Sequence, residues 1–201
     1  MTFRRQHHQS VITVLNALSP DYFQERHCYF GGGTLLALEF GEYRESVDID
    51  FSISDREQIR ALRTDLHNDG YKALFTSSDP GITLIPEQPR VTRDKVVFAA
   101  QPNDTPIKVE ILFEGRIALG DPRRLPFTEV PCLALSDAIA EKLLANADRG
   151  LDSAYFAKDL IDLAIAISDT GLLETAVEKV HTAKHGYDVV TPLRRAIENF
   201  A

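Results

Sequence analysis

The tightest constraint in the sequence is the run Val47-Asp48-Ile49-Asp50-Phe51-Ser52-Ile53, in which apolar and polar residues alternate with a period of two. That pattern predicts a half-buried β-strand, with Ile49 and Phe51 turned into a core and Asp48 and Asp50 sharing the opposite face. Two carboxylates on one face, roughly 7 Å apart along the strand, repel each other unless a cation lies close by. A second run, Ile107-Lys108-Val109-Glu110-Ile111-Leu112-Phe113, alternates in the same way and puts Lys108 and Glu110 on its polar face. Side by side, the two strands would gather Asp48, Asp50 and Glu110 into a hard-oxygen set suited to Mg²⁺. The plainer alternative for the second run is a solvated strand with a Lys–Glu ladder.

Ahead of both strands lies Phe30-Gly31-Gly32-Gly33-Thr34, between a short apolar strand at residues 27–30 and a helix expected over residues 34–40. At a strand-to-helix junction backbone N–H groups converge on an anion, and glycines let a phosphate approach closely. Gly32, Gly33 and Thr34 are therefore candidates for holding phosphate oxygens, with Thr34 capping the helix. The run lacks the Gly-Lys-Ser/Thr of a P-loop and the glycine spacing of a dinucleotide fingerprint. A flexible turn is the alternative.

Composition narrows the partners. The chain has 201 residues, 44% of them hydrophobic, enough for one domain or a core with a helical extension. A formal net charge of −8 argues against a protein that coats nucleic acid without specificity. No apolar run approaches the ~18–20 residues of a membrane span. The basic start, MTFRRQHHQS, is followed by no apolar segment, so no secretory signal is expected. Cys28 and Cys132 read as core thiols in a reducing, cytoplasmic setting. His7, His8, His67, His181 and His185 have no metal-ligand spacing and read as surface residues.

Periodicity divides the chain in two. Helices are expected at residues 5–18 and 55–68, and strands at 71–75, 91–100 and 107–113. After Pro131 the pattern becomes helical, at 136–149, 152–168, 172–181 and 193–200. The expected fold is α+β: a mixed β-sheet flanked by helices over residues 1–130, then a helical portion over 131–201 packed on it. Lys142 and Arg149 share a helix face and make a cationic pair suited to triphosphate oxygens. In the following helix Phe156, Leu160, Leu163 and Ile167 form the apolar stripe, which leaves Asp159 and Asp162 off it.

Strand, glycine turn, helix, acidic strand and a later single-carboxylate strand occur in the order found in the nucleotidyltransferase (polymerase β-like) superfamily. More closely, Gly32-Gly33-Thr34-Leu35 followed by Arg44-x-Ser46-x-Asp48-Ile49-Asp50-Phe51 resembles the AbiEii-type nucleotidyltransferases, the toxin half of type IV toxin–antitoxin pairs. Lys142 on one helix and Lys158-Asp159-x-x-Asp162 on the next agree with that family. The resemblance implies Mg²⁺-dependent transfer of a nucleotide from an NTP to an RNA end, such as that of a tRNA, or to a protein hydroxyl. It implies metal ligation and catalysis by Asp48, Asp50 and Glu110, with Lys142 and Asp159 also catalytic. It adds nucleotide contacts from Arg44, Ser46, Lys108 and Asp162, and an antitoxin encoded nearby. Transfer to a small molecule such as an antibiotic, or a silent NTP-binding module, are the rival readings.

Overall fold

The structure, a computed structural model, describes residues 2–149, 157–183 and 186–200. It falls into two compact units, one comprising Met1–Gly115 with Asp121–Leu133 and the other Arg116–Gly120 with Ala134–Ala201.

In chain order the first unit contains α1 (Gln6–Ala17), α2 (Pro20–Glu25), β1 (Tyr29–Gly31), α3 (Gly32–Glu39), β2 (Ile49–Ile53) and α4 (Arg56–Asp69). It continues with β3 (Thr83–Val91), β4 (Lys95–Gln101), β5 (Ile107–Phe113), β6 (Arg123–Leu125) and β7 (Thr128–Cys132). The strands form one mixed sheet in the order β3-β4-β5-β2-β1-β7-β6. β2 runs parallel to β5, and β1 parallel to β7. The fold is α+β, as the alternation of patterns predicts.

Local chemistry explains the elements. Val11, Val14 and Leu15 recur at helical spacing on α1 and are fully buried. Ile59, Leu62 and Leu66 do the same on α4, which Asp55 caps by accepting the Glu57 N–H at 2.7 Å. Gly70, at φ +58°, ends that helix. α3 is buried on every side from Leu35 to Leu38 and forms the centre of the unit. Phe51 of β2 packs 4.5 Å from Phe23 and 5.8 Å from Phe30, ring centre to ring centre.

Several expectations are corrected. Residues 71–75 are no strand: Gly70–Ala73 form a 3-10 turn closed by the Leu74 N–H on the Tyr71 carbonyl. The strand expected at 91–100 starts later, as β4 at Lys95, and β3, over Thr83–Val91, is a strand the pattern does not predict. β3 is the exposed edge of the sheet, contains Pro86 and Pro89, and shifts register between Ile85 and Arg90. α3 starts two residues before Thr34, so β1 passes directly into a helix whose N-cap is Gly31.

The second unit contains α5 (Leu135–Arg149), α6 (Lys158–Ala166), α7 (Thr170–Thr182) and α8 (Val190–Phe200). Phe156, the rest of the expected helix between 150 and 156, and His185 lie outside the described residues. Among the described residues no helix is long and apolar enough to cross a membrane.

Candidate functional site

The parallel pairing of β2 and β5 sets Asp50 opposite Glu110, with Ile49 opposite Val109 and Phe51 opposite Ile111. The four aliphatic and aromatic side chains are fully buried. Because strand side chains alternate, Asp50 and Glu110 emerge together on the other face, on adjacent strands about 4.8 Å apart. On the far side of β2, Gly31 of β1 is the partner of Asp50. The chain then turns into α3 at Gly32, whose φ of +69° favours glycine. A Cβ at Gly32 would lie 2.5 Å from Asp50 Oδ2. The glycine therefore makes room for the carboxylate as well as opening the helix terminus. Gly32→Ala is expected to displace the Asp50 carboxylate and to weaken any divalent ion held on this face by about tenfold or more, since small misplacements of a ligating group are costly. Calorimetric Mg²⁺ titration of the variant checks this, and an unchanged affinity would separate the glycine from the carboxylate.

Glu110 is almost fully buried and ion-paired to two lysines, Lys108 at 2.6 Å and Lys95 from β4. Burial pushes its carboxyl pKa up, but the bonds to Lys108 and Lys95 outweigh burial and hold it below the ordinary carboxylate range. Lys108 is raised above the usual lysine range, first by its bond to Glu110 and further by the charges of Asp48 and Asp50. One ammonium thus feels all three carboxylates. Among the described residues no three carboxylate, imidazole or thiol groups form a ready-made metal cage. Mg²⁺ does not need one, because it commonly takes one or two carboxylates and completes its shell with water and substrate phosphates. Asp48 and Asp50 fit that donor set.

Asp48 precedes the β2 ladder and is held by other means. Its carbonyl accepts a hydrogen bond from Thr34 Oγ1. Thr34 Oγ1 also lies 2.8 Å from Ser46 Oγ. A hydroxyl has one proton to donate, so Thr34 gives its own to Asp48 and accepts that of Ser46. Thr34 is only 1% exposed and does its bonding inward. Arg44 donates to the Glu45 carbonyl at 3.0 Å and lies 6.0 Å from the Tyr43 ring centre.

Sequence reasoning missed the residues behind this segment. His8, read as a surface residue, is fully buried. Its Nδ1 lies 2.9 Å from Glu42 Oε1, and its Nε2 accepts the Ser46 N–H at 3.2 Å. The signal was present, since His8 falls on the same helical face as Val11 and Leu15. Glu42 also accepts the N–H groups of Arg4 (2.7 Å) and Arg5 (3.0 Å), which caps α1 from a distant loop. Burial opposes ionisation of Glu42, yet these donors and His8 together bring its carboxyl down to about 2. Lys95 was missed because its pairing depends on the β4–β5 register.

In the helical unit Lys142, Asp159 and Asp162 come together. Lys142 Nζ lies 2.9 Å from Asp159 and 2.8 Å from Asp162. Arg149 adds two bonds to Asp159, at 3.0 and 3.3 Å. Lys142, Asp159 and Asp162 are all buried, so the polar side of α6 faces inward while Ile161 and Ile165 are exposed. Of the expected stripe Leu163 is buried and Leu160 and Ile167 are half-buried, but Asp159, Asp162 and Ala166, expected off the stripe, are buried beside them. Burial pushes the Asp159 pKa up, but Arg149 and Lys142 outweigh it and hold the group ionised below its usual range. Asp137, another fully buried carboxylate, is paired with Lys179 and accepts the Gly120 N–H at 2.7 Å.

Residues 13–200 match the family described as "Nucleotidyl transferase AbiEii toxin, Type IV TA system". No curated protein matches the chain. Its fold is shared with MenT4, a nucleotidyltransferase toxin from Mycobacterium tuberculosis H37Rv, at a TM-score of 0.51 and 21% identity over 87% of this chain. The present chain spans 63% of that toxin, less than two thirds of its length. An antigenic nucleotidyltransferase-like protein from Paracoccidioides brasiliensis gives a TM-score of 0.52 at 15% identity, covering 98% of this chain and 88% of that one. JHP933 from Helicobacter pylori gives 0.51 at 13% identity, covering 97% and 90%. At such identities the likeness is one of fold; the match over nearly the whole sequence goes further, and the chain belongs to the nucleotidyl transferase AbiEii toxin family.

Proposed function

We propose that the protein transfers a nucleotidyl group from an NTP to an acceptor hydroxyl, with Mg²⁺ held by Asp48 and Asp50 and by Glu110 as the third carboxylate. The observation that carries this reading is the register that sets Asp50 beside Glu110, with Gly32 against the Asp50 carboxylate. When bound, Mg²⁺ supplies charge neutralisation at the phosphates and a more acidic attacking hydroxyl.

The protein's own groups do the rest. N–H groups in the first turn of α3, from Gly32 to Thr34, are free of intrahelical acceptors and suit phosphate oxygens. Lys108, half exposed at the edge of the carboxylate cluster, suits the triphosphate, and so does Arg44 from the preceding loop. Thr34 and Ser46 hold the Asp48 backbone. Glu110 is kept ionised by Lys95 and Lys108, each on one of its oxygens, so one of the two lysines would give way for Glu110 to contact the ion. The acceptor oxygen forms a bond to the α-phosphorus, the bond to the β-phosphate bridging oxygen breaks, pyrophosphate leaves, and the hydroxyl proton passes to solvent. In the helical unit Lys142, Asp159 and Asp162 carry the family's remaining motif as an ordered, buried ion cluster.

The acceptor we favour is RNA, a tRNA end among the candidates, and the cellular role a toxin countered by an antitoxin encoded nearby. The buried free thiols Cys28 and Cys132 suit a reducing cytoplasm. Incubation with each α-labelled NTP, Mg²⁺ and total cellular RNA is expected to label RNA with one nucleotide preferred. Label in protein, or in a small molecule such as an aminoglycoside, would redirect the acceptor. No Mg²⁺-dependent incorporation into any of the three would overturn the proposal.

A further inference from the structure

Asp48 precedes the first paired residue of β2, and residues 42–48 have no regular secondary structure. What fixes this segment is α1. Adjacent residues of its first turn grip adjacent residues of the segment: His8 Nε2 accepts the Ser46 N–H, and His7 Nε2 lies 2.9 Å from the Val47 carbonyl. Ser46 then meets Thr34, and Thr34 holds the Asp48 carbonyl. Since Nε2 of His8 is an acceptor, its proton is on Nδ1 and is donated to Glu42. Glu42 is therefore the group that selects the tautomer able to hold Ser46. Glu42 is itself a costly placement, a buried carboxylate on a non-glycine residue at φ +59°.

We propose that His8, oriented by Glu42, is a positioning residue for Asp48. The relay Glu42–His8–Ser46–Thr34–Asp48 sets where the first carboxylate of the metal site lies, and His7 steadies the same segment at Val47. His8 touches neither nucleotide nor metal and acts through the chain. The inference rests on the reading of Asp48 and Asp50 as the Mg²⁺ ligands.

The test uses the full chain with His8→Ala, His8→Gln and His7→Ala. Mg²⁺ affinity is measured by calorimetry, turnover over a range of Mg²⁺ concentrations, and Tm in parallel. His8→Ala is expected to weaken Mg²⁺ binding and to lower turnover by about tenfold to a hundredfold, with part of the loss recovered at raised Mg²⁺. His8→Gln, whose amide can donate to Glu42 and accept from Ser46, should restore most of both. His7→Ala, at a half-buried position with little risk to folding, should weaken Mg²⁺ binding in the same direction by less. Val14→Ala, a fully buried change on the same helix, is the control for lost stability alone. The relay is wrong if His8→Ala binds Mg²⁺ as the wild type does, or if activity merely tracks Tm across His8→Ala and Val14→Ala. Asp50→Ala separates the two levels: Mg²⁺ binding retained there removes the carboxylate reading itself, whereas binding lost there but kept in His8→Ala removes only the relay.

Discussion

Asp50→Ala is expected to fold normally and to lose at least about a thousandfold in nucleotide transfer, about 4 kcal/mol of barrier. The fold should survive because the neighbours of Asp50, Ile49 and Phe51, supply the core contacts of β2, while the carboxylate faces the other way. The rate should not, because a bound divalent ion contributes several kcal/mol to charge stabilisation in phosphoryl chemistry, and a shortened side chain leaves Lys108 facing one anion fewer. Asp50→Asn, which keeps the shape and removes the charge, should fail in the same way. Single-turnover assays over a Mg²⁺ series, with circular dichroism to confirm the fold, decide the matter. A variant that keeps Mg²⁺-dependent turnover near the wild-type value would sink the metal-site assignment.

Lys142→Met should cost about 3–5 kcal/mol of stability in the helical unit, because it strands Asp159 and Asp162 as buried charges. For a protein of this size that corresponds to a fall in Tm on the order of ten degrees. The cost comes from what is left behind rather than from the lysine alone. Changing all three residues, with Asp159→Asn and Asp162→Asn added, should therefore recover much of the lost stability while activity stays low. Thermal unfolding followed by calorimetry distinguishes the cases. A single variant that melts with the wild type would show that the buried ion cluster does not stabilise the unit. Activity of the single variant has to be read well below its own melting point.

The legibility of this fold in its sequence depends on range. β2 and β5 could be read because a period of two is a local signal, and both strands have one buried face. β3 was hidden by Pro86 and Pro89, which normally argue against a strand, yet an edge strand tolerates a missing N–H on its open side. Tyr71 and Phe75 look like strand formers, but Gly70 turns the chain and a tight local hydrogen bond takes over. On α6 the burial of Asp159 and Asp162 was not legible, because the partners that make them buriable, Lys142 and Arg149, lie on another helix. His8 shows the opposite failure: its position on the apolar face of α1 was visible, but the polar residue type prevailed over the period. The carboxylates and Lys108 were legible from alternation, whereas Lys95 depends on the β4–β5 register and His8 on contacts more than thirty positions away in the chain.

The outer strand of the sheet has a bearing on how the protein behaves in bulk. β3 presents nine residues at an open border, with Ile85 43% and Val91 40% exposed, a surface that in a regular strand would recruit further chains. Two of its positions have no amide hydrogen, and the break in pairing between Ile85 and Arg90 bends the line of the remaining donors. An incoming strand cannot zip along it for more than a few residues. Growth of an intermolecular β-ribbon along β3 is therefore frustrated at its point of departure.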